Sequence, residues 1–145
     1  MISIFQYADV AHRAQVEALW CEAFGYDTAH NRPGLVIDRK VEIADGLFFV
    51  GVQDGAVVGT VMAGYDGHRG WLYSVAVDQA FRNRGIGTEL VLHAERALED
   101  LGCVKINLQI ADGNEPVAAF YEALGFIVEK RISMGKRVPK NAPPG

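Results

Sequence analysis

A basic, glycine-spaced loop is the part of the chain best suited to bind a ligand. It follows an apolar, strand-like run at residues 72–77. Gly85 and Gly87 carry no Cβ, so the backbone there can approach a ligand closely. The first turn of a helix beginning here offers N–H groups without intrahelical partners, and two arginines add positive charge. The pattern predicts a pyrophosphate cradle whose members are consecutive: Arg82, Asn83, Arg84, Gly85, Ile86, Gly87 and Thr88.

A second group of residues, 114–126, helps to decide which nucleotide ligand the cradle would bind. The cradle is not a Walker A loop, because the chain has no Gly-x-x-x-x-Gly-Lys-Ser/Thr, and Leu90 stands where a dinucleotide fingerprint needs a third small residue. Residues 82–87 resemble the coenzyme A loop, Gln/Arg-x-x-Gly-x-Gly/Ala, of the GNAT superfamily of N-acetyltransferases. Residues 114–126, Asn-Glu-Pro-Val-Ala-Ala-Phe-Tyr-Glu-Ala-Leu-Gly-Phe, resemble its later signature, with Val117 in place of an alanine. Residues 59–70 and 133–137 are similar to the YpeA-type subgroup of small bacterial members.

The resemblance implies an acetyl-CoA-dependent N-acetyltransferase of mixed α/β fold. It implies a mostly antiparallel sheet with a parallel strand-helix-strand crossover and two splayed strands. The pantetheine of acetyl-CoA is then expected to lie along the strand at residues 71–77, bound by the main chain of Val75, Ala76 and Val77. A nearby N–H would point at the thioester carbonyl, and the side chain of Asn114 would also bond the pantetheine.

Tyr121 matches the family's tyrosine whose hydroxyl lies near the thioester sulfur. The conjugate thiol of a departing thiolate has a pKa of about 8.5, and a phenol has a pKa of about 10. The phenol is therefore not ionised at neutral pH and can donate a hydrogen bond or a proton to the sulfur. The alternative is an aromatic side chain that only packs beside Phe120 and Phe126. The match to the motif favours the role of Tyr121 as a general acid over a role in packing alone.

The general base is left open. Many relatives use a glutamate on one of the splayed strands, yet the corresponding position here is Gln109, which cannot accept a proton. Tyr73 is one candidate to position a water or the amine, since it is expected to share a strand face with Trp71 and Val75. Asp66, His68 and ordered water are the other candidates.

Composition limits the class of protein. The 145 residues, 50% apolar, suit one compact domain, here residues 1–138, followed by a tail at 139–145 that is expected to be disordered. A net charge of −4 gives no indication of nucleic-acid or anionic-membrane binding. The sequence predicts a cytoplasmic protein, because no apolar run reaches a spanning length and no signal sequence is evident.

The two cysteines, Cys21 and Cys103, form no metal spacing with the histidines, so no metal is expected. Both thiols are expected to be reduced and mostly buried. An acetyl-cysteine relay at Cys103 lacks a recognisable base.

The elements that position these residues follow from periodicity. Apolar spacing predicts helices at 10–24, capped by Asp9, at 35–44, from 87 to about 101, and from Pro116 to Gly125, capped by Asn114. Strands are expected at 1–7, 47–53, 57–65, 71–77, 105–110 and 126–133, the second to fourth joined by tight turns. Residues 26–44 are expected to admit the acceptor.

Two functions remain from sequence. The first is transfer of an acetyl group from acetyl-CoA to a primary amine, on a small molecule or a protein, by direct transfer in a ternary complex. The second is a catalytically weak acyl-CoA-binding regulatory module, since the family's glutamate is missing. A homodimer is left open.

Overall fold

The computed structural model describes residues 2–25 and 32–139. Met1, residues 26–31 and residues 140–145 lie outside that range, so most of the predicted tail and part of the predicted acceptor entrance remain predictions. The helices of the described chain are α1 (Asp9–Phe24), α2 (Pro33–Ile43), α3 (Ile86–Asp100) and α4 (Ala118–Glu122). The strands are β1 (Ser3–Gln6), β2 (Phe48–Gln53), β3 (Ala56–Tyr65), β4 (Arg69–Val77) and β5 (Lys105–Asn107).

The five strands form one sheet in the order β1-β2-β3-β4-β5. Neighbours are antiparallel from β1 to β4, because short turns join β2 to β3 and β3 to β4. The pair β4 and β5 is parallel, and α3 makes the crossover between them. The predicted mixed sheet with a single parallel crossover is therefore confirmed.

Helices cover both faces of the sheet. On one face, which we call the α3 face, the buried stripe of α3 packs against the central strands; its members recur at helical spacing and are Leu90, Val91, Ala94 and Leu98. On the other, the α1 face, Val16, Leu19 and Trp20 of α1 and Ile37 of α2 pack against the sheet. Burying apolar area on both faces stabilises a three-layer arrangement.

The last part of the chain departs from the predicted strands. β5 ends at Asn107 rather than at residue 110, and residues 126–133 form no strand. Apolar alternation predicts a strand there, but a strand also needs a neighbour for its backbone groups. Residues 126–133 have no backbone ladder with any strand in the described chain, so the prediction is wrong for this chain taken alone.

Two predicted helix caps are also wrong. Ala8, not Asp9, occupies the N-cap of α1, and the Asp9 carboxylate instead accepts hydrogen bonds from the hydroxyl of Tyr7 and from Nε of Arg13, each at 2.8 Å. Asn114 precedes a 3₁₀ turn at Glu115–Val117 and makes no side-chain cap bond. Neither predicted capping bond forms, so the side chain of Asn114 has no capping role among the described residues.

Candidate active site

Strand β4 changes its environment half-way along. Its first residues pair with both neighbours, and the parallel ladder with β5 consists of Arg69, Gly70 and Trp71 opposite Lys105, Ile106 and Asn107. From residue 72 to 77 β4 pairs with β3 alone. The edge of β4 that faces away from β3 is therefore open over these residues, as the predicted splay requires.

A β-bulge lies in the open half of β4. Met62 of β3 pairs with Tyr73, and Thr60 pairs with Ala76, so Ser74 and Val75 together lie opposite one residue of β3. Ser74 adopts a left-handed backbone, with φ of 50°. An inserted residue reverses the alternation of side chains between faces. The expectation that Tyr73 and Val75 share a face is thus wrong: Val75 packs on the α3 face, whereas Tyr73 lies opposite Met62 of the α1 face.

A buried hydroxyl holds the bulge. Thr60 is fully buried, and its Oγ1 donates to the carbonyl oxygen of Ser74 at 2.9 Å. Oγ1 of Thr60 in turn accepts a hydrogen bond from Nε1 of Trp20 at 2.8 Å, which connects α1 to the bulge. Sequence analysis missed this chain of contacts, since a threonine within an apolar strand is also typical of an ordinary strand residue.

The predicted cradle follows β4 directly. Asp78 caps a short 3₁₀ turn by accepting from the N–H of Ala80 at 2.9 Å, and Nε of Arg82 donates to the carbonyl of Val77 at 3.2 Å. Asn83 and Gly85 have positive φ, 64° and 79°, so the chain turns sharply into α3.

The two arginines of the cradle are both exposed. The guanidinium carbon of Arg84 lies 5.2 Å from the ring centroid of Phe81. Neither Arg82 nor Arg84 forms an ion pair with a carboxylate of the described residues. The loop thus presents uncompensated positive charge, together with the N–H groups of Ile86, Gly87 and Thr88 in the first turn of α3.

Three elements meet where α3 begins. A Cβ added to Gly87 would lie 3.3 Å from Cζ of Phe120 in α4 and 3.6 Å from a methyl group of Val77 in β4. Gly87 therefore lets α4 approach the start of α3 closely, in addition to any contact with a ligand. Because Phe120 precedes Tyr121, this contact brings the predicted cradle and the predicted acid into one neighbourhood.

Tyr121 is half-buried on the α3 face. Its ring meets Phe120 edge-on at 4.9 Å and Phe126 at 5.7 Å. Burial raises the pKa of its hydroxyl, so the phenol stays protonated at neutral pH, as a proton donor must. The side chain of Tyr121 also lines a groove of about 1340 Å³ beside β5. Asn107 and Gln109 line the same groove.

Tyr73 lies on the opposite face of the sheet, and 47% of it is exposed. Its ring covers Gly64, where an added Cβ would lie 3.3 Å from the ring. Burial, and then the charge of Asp66, raise the pKa of Tyr73, so this phenol is also neutral. A neutral phenol can orient a water or an amine but is a weak base.

Asp66 and Gln109 have local partners. The Asp66 carboxylate accepts from the N–H groups of Arg69 and His68, at 2.7 and 2.8 Å, and these bonds hold its pKa below the usual range. Gln109 donates to the hydroxyl of Ser133 at 2.6 Å. Asp66 therefore serves the turn rather than proton abstraction.

The cysteines and possible metal ligands add little. Cys21 and Cys103 are each only partly exposed, as expected of mostly buried thiols, and Sγ of Cys103 donates to the carbonyl of Lys105 at 3.1 Å. Among the described residues, no three histidines, cysteines or carboxylates cluster closely enough to hold a metal ion.

Comparison with known proteins decides the family. Residues 13–126, which include β4, the cradle and Tyr121, match the acetyltransferase (GNAT) family. The chain belongs to the GNAT acetyltransferase family. It is 37% identical over 139 residues to acetyltransferase YE1169 of Yersinia enterocolitica, a match that covers 94% of each protein. The chain is accordingly an acyltransferase by family.

Solved GNAT structures share the fold. The aminoglycoside N-acetyltransferase AAC(6')-Iy, in complex with CoA, superposes with a TM-score of 0.77 at 20% identity, covering 94% of this chain and 95% of that one. Glucosamine-6-phosphate N-acetyltransferase of Arabidopsis thaliana superposes with a TM-score of 0.70 at 21% identity, covering 94% and 98%. These neighbours confirm the GNAT-like fold.

The helices of the described residues are also informative about membranes. None combines the length and the apolar character that crossing a bilayer demands.

Proposed function

We propose that this GNAT protein is an acetyl-CoA-dependent N-acetyltransferase that moves an acetyl group to a primary amine in a ternary complex. The observation that carries the proposal is the half of β4 whose edge is open, at residues 72–77, which leads directly into a positively charged loop. An open strand edge offers N–H and C=O groups to an extended ligand arm, as an added strand would.

The binding roles follow from this arrangement. The main chain of Val75, Ala76 and Val77 would hold the pantetheine, and residues 82–88 would hold the pyrophosphate. Among the described residues the side chain of Asn114 makes no capping hydrogen bond. It is therefore available for the proposed contact with the pantetheine. The residues present fit the donor, since exposed cations and backbone donors are both available for phosphate oxygens.

The chemistry requires one bond to form and one to break. The amine nitrogen attacks the thioester carbonyl carbon, the carbon–sulfur bond breaks, and its electron pair leaves on sulfur. An N–H of the bulge would stabilise the carbonyl oxygen as charge develops on it. Tyr121 would donate its proton to the departing thiolate, and the amine's proton would leave to water ordered by Tyr73.

The test is release of free thiol. Purified protein is incubated with acetyl-CoA and a panel of amines that includes aminoglycosides, amino sugars and peptide amino termini. We expect amine-dependent thiol release and an acetylated amine of the corresponding mass. Tight acetyl-CoA binding without turnover on any amine would instead favour the regulatory module.

Calorimetry tests the cradle independently of turnover. Arg84→Ala should weaken acetyl-CoA binding several-fold, because an exposed cation beside the phosphates is lost. Arg96→Ala is the matched control. Arg96 is exposed like Arg84, but it lies within α3, about 15 Å along the helix from its first residue. Equal losses in both variants, or none in either, would contradict the assignment of the cradle.

A further inference from the structure

One corner of the sheet stays accessible beside the turn between β3 and β4. The helices α1 and α2 cover the middle of the α1 face, including Met62. Further along β3, Gly64 is only partly buried, and Asp66 and Tyr73 are exposed. We call these three residues the turn corner. The corner lies on the opposite face from Tyr121, so it is suited to contact the acceptor rather than the donor.

The side chain of Tyr73 extends toward the turn. Tyr73 pairs with Met62, yet its ring lies over Gly64, where an added Cβ would be 3.3 Å from Cε2 and 3.8 Å from the hydroxyl oxygen. Gly64 is two residues nearer to Asp66 than Met62 is. The charge of Asp66 also contributes to the raised pKa of Tyr73, after burial, which agrees with this direction. The phenol and the Asp66 carboxylate therefore border the same space.

The carboxylate of Asp66 is charged and has no counter-ion among the described residues. Its Oδ1 accepts the N–H groups of His68 and Arg69, and these bonds are the main reason for its lowered pKa. No described cation lies within ion-pair distance of it. An exposed carboxylate that is ionised at neutral pH and lacks an ion pair attracts a cation.

Arg69 is the nearest cation in sequence, but it serves another surface. Its side chain lines the groove beside β5 together with Glu129. The charge of Arg69 also contributes to the lowered pKa of Glu129, so the guanidinium is shared with that carboxylate. The turn corner thus keeps a net negative charge beside an aromatic ring, and this combination favours organic ammonium groups.

The distance from the corner to the bulge sets the size of the acceptor. Asp66 faces Arg69 across the turn, and residues 69–74 advance by about 3.3 Å each to the bulge at Ser74. Under the proposed function the thioester carbonyl lies at this bulge. A reacting nitrogen approaches the carbonyl carbon to about 3 Å, and an ammonium contacts a carboxylate at about the same distance. Two nitrogens that satisfy both sites at once are therefore roughly 10 Å apart.

We propose that the turn corner binds a second ammonium group of the acceptor, so the preferred substrate is a small diamine or polyamine whose nitrogens span this distance. The inference rests on the proposed function, because the bulge defines where the reacting nitrogen lies. The far ammonium would contact the Asp66 carboxylate. The methylene chain between the two nitrogens would lie across the ring of Tyr73 and over Gly64, which has no side chain to block it.

A series of straight-chain diamines tests the span. In assays of thiol release, kcat/KM should rise from diaminopropane to diaminooctane. It should exceed the value for aminooctanol, in which a hydroxyl replaces the far ammonium, by about fivefold or more, the scale of one exposed ion pair. The gain should be in KM, since the far contact is the same in the ground state and the transition state. Equal kcat/KM for diaminooctane and aminooctanol would overturn the subsite while leaving the acetyltransferase proposal intact.

Asp66→Asn tests the residue. The amide oxygen can still accept the two N–H groups of the turn, so the melting temperature should be unchanged, but the preference for diaminooctane over aminooctanol should fall by about fivefold. Asp54→Asn is the matched control, because Asp54 is exposed in the turn at the other end of β3 and loses the same charge. It should keep the preference. A preference that survives in Asp66→Asn, or that falls equally in both variants, would contradict the assignment.

Binding provides a readout that does not need turnover. With the protein saturated with CoA, diaminooctane should shift the backbone amide NMR signals of His68 and Arg69, which donate to Asp66. Aminooctanol at the same concentration should shift them several-fold less, and Asp66→Asn should remove the difference. These shifts without acetylation of any amine would refute the proposed function but support the subsite. Absence of the shifts in the wild type would overturn the subsite.

Discussion

The two halves of β4 differ in what surrounds them. In the first half, Gly70 and Trp71 are paired on both edges, and a Cβ at Gly70 would approach Leu98 of α3 to 2.7 Å. The half at residues 72–77 has one open edge, and it contains a bulge that Thr60 holds. The first half is shaped by packing, whereas the second leaves main-chain groups available to a ligand. Substitutions around the two halves should therefore separate stability from turnover.

The largest expected effect concerns Tyr121, beside the open half. Tyr121→Phe should lower kcat by about 10²-fold or more, because a positioned acid contributes on that scale, and leave acetyl-CoA binding nearly unchanged. Phenylalanine keeps the ring contacts with Phe120 and Phe126, so the melting temperature should stay close to that of the wild type. The measurement is steady-state thiol release with a thermal melt as control. Near-normal turnover in the stable variant would leave Tyr121 a packing residue.

Thr60→Val should affect the open half through the bulge. It leaves the Nε1–H of Trp20 and the carbonyl of Ser74 without their partner, which costs about 1–3 kcal/mol of stability for each buried group. As the bulge relaxes, kcat should fall by about tenfold, with little change in the KM for the amine, because stabilisation of the carbonyl oxygen is lost only in the transition state.

Thr60→Ser is the matched control, since it retains the hydroxyl, and it should recover most of kcat. If Thr60→Val lowered the melting temperature while kcat stayed normal, the hydroxyl would support the fold and not the reaction. The backbone amide shift of Val75, followed by NMR without any amine present, provides a readout that does not depend on turnover.

Gly70→Ala addresses the half paired on both edges. The added methyl would collide with Leu98 and with Sγ of Cys103, at 2.7 and 2.9 Å, so overpacking should cost about 1–3 kcal/mol. The folded fraction should keep a normal kcat. Gly135→Ala is the control, because an added Cβ there meets nothing within 4 Å. A specific loss of kcat in a stable Gly70→Ala protein would contradict the division of β4 into two roles.

The smallest effect is a pH dependence at Glu95, beside the doubly paired half. Within the described part of the chain, one carboxylate oxygen of Glu95 is buried without a hydrogen-bond partner. Burial, followed by the charge of Glu99, raises the pKa of this carboxyl group. The folded state thus holds the proton more tightly than the unfolded state, so the favourable contribution exists in acid and is lost as pH rises through the raised pKa.

Glu95→Gln should therefore melt slightly higher than the wild type at neutral pH, by a few degrees at most, and the difference should vanish in acid. Glu22→Gln, at an exposed position of α1, serves as the control. A variant that melts lower at neutral pH would show that the carboxylate has a stabilising partner.

Local patterns in the sequence predicted the strands up to β4, the crossover helix α3 and the glycine-containing turn that leads into it. These depend on nearby residues: alternation, a helical stripe, and glycines at turns. The bulge was not predictable, since an inserted residue leaves no mark on apolar alternation, and the contact between Thr60 and Ser74 depends on the register of two strands. The placement of Val75 was wrong for this reason.

The C-terminal region failed for a different reason. The alternation at residues 126–133 is genuine, yet pairing is a property of two segments, and one segment specifies only half of it. The Asp9 cap failed because the hydroxyl of Tyr7 and the guanidinium of Arg13 compete for the carboxylate. Tyr121 and the cradle were placed by motif, and the packing of Phe120 on Gly87 now gives a physical reason for their proximity.

The hydrogen bond from Trp20 to Thr60 also gives this protein an internal optical probe. The indole of Trp20 is buried, and it lies one hydroxyl away from the carbonyl of Ser74. Indole emission depends on the polarity and hydrogen bonding around the ring, so a displacement of the bulge should change the light that Trp20 emits. With Trp71 replaced by phenylalanine, Trp20 becomes the sole tryptophan. Mixing this variant rapidly with acetyl-CoA would then show, without any label, how fast the strand responds.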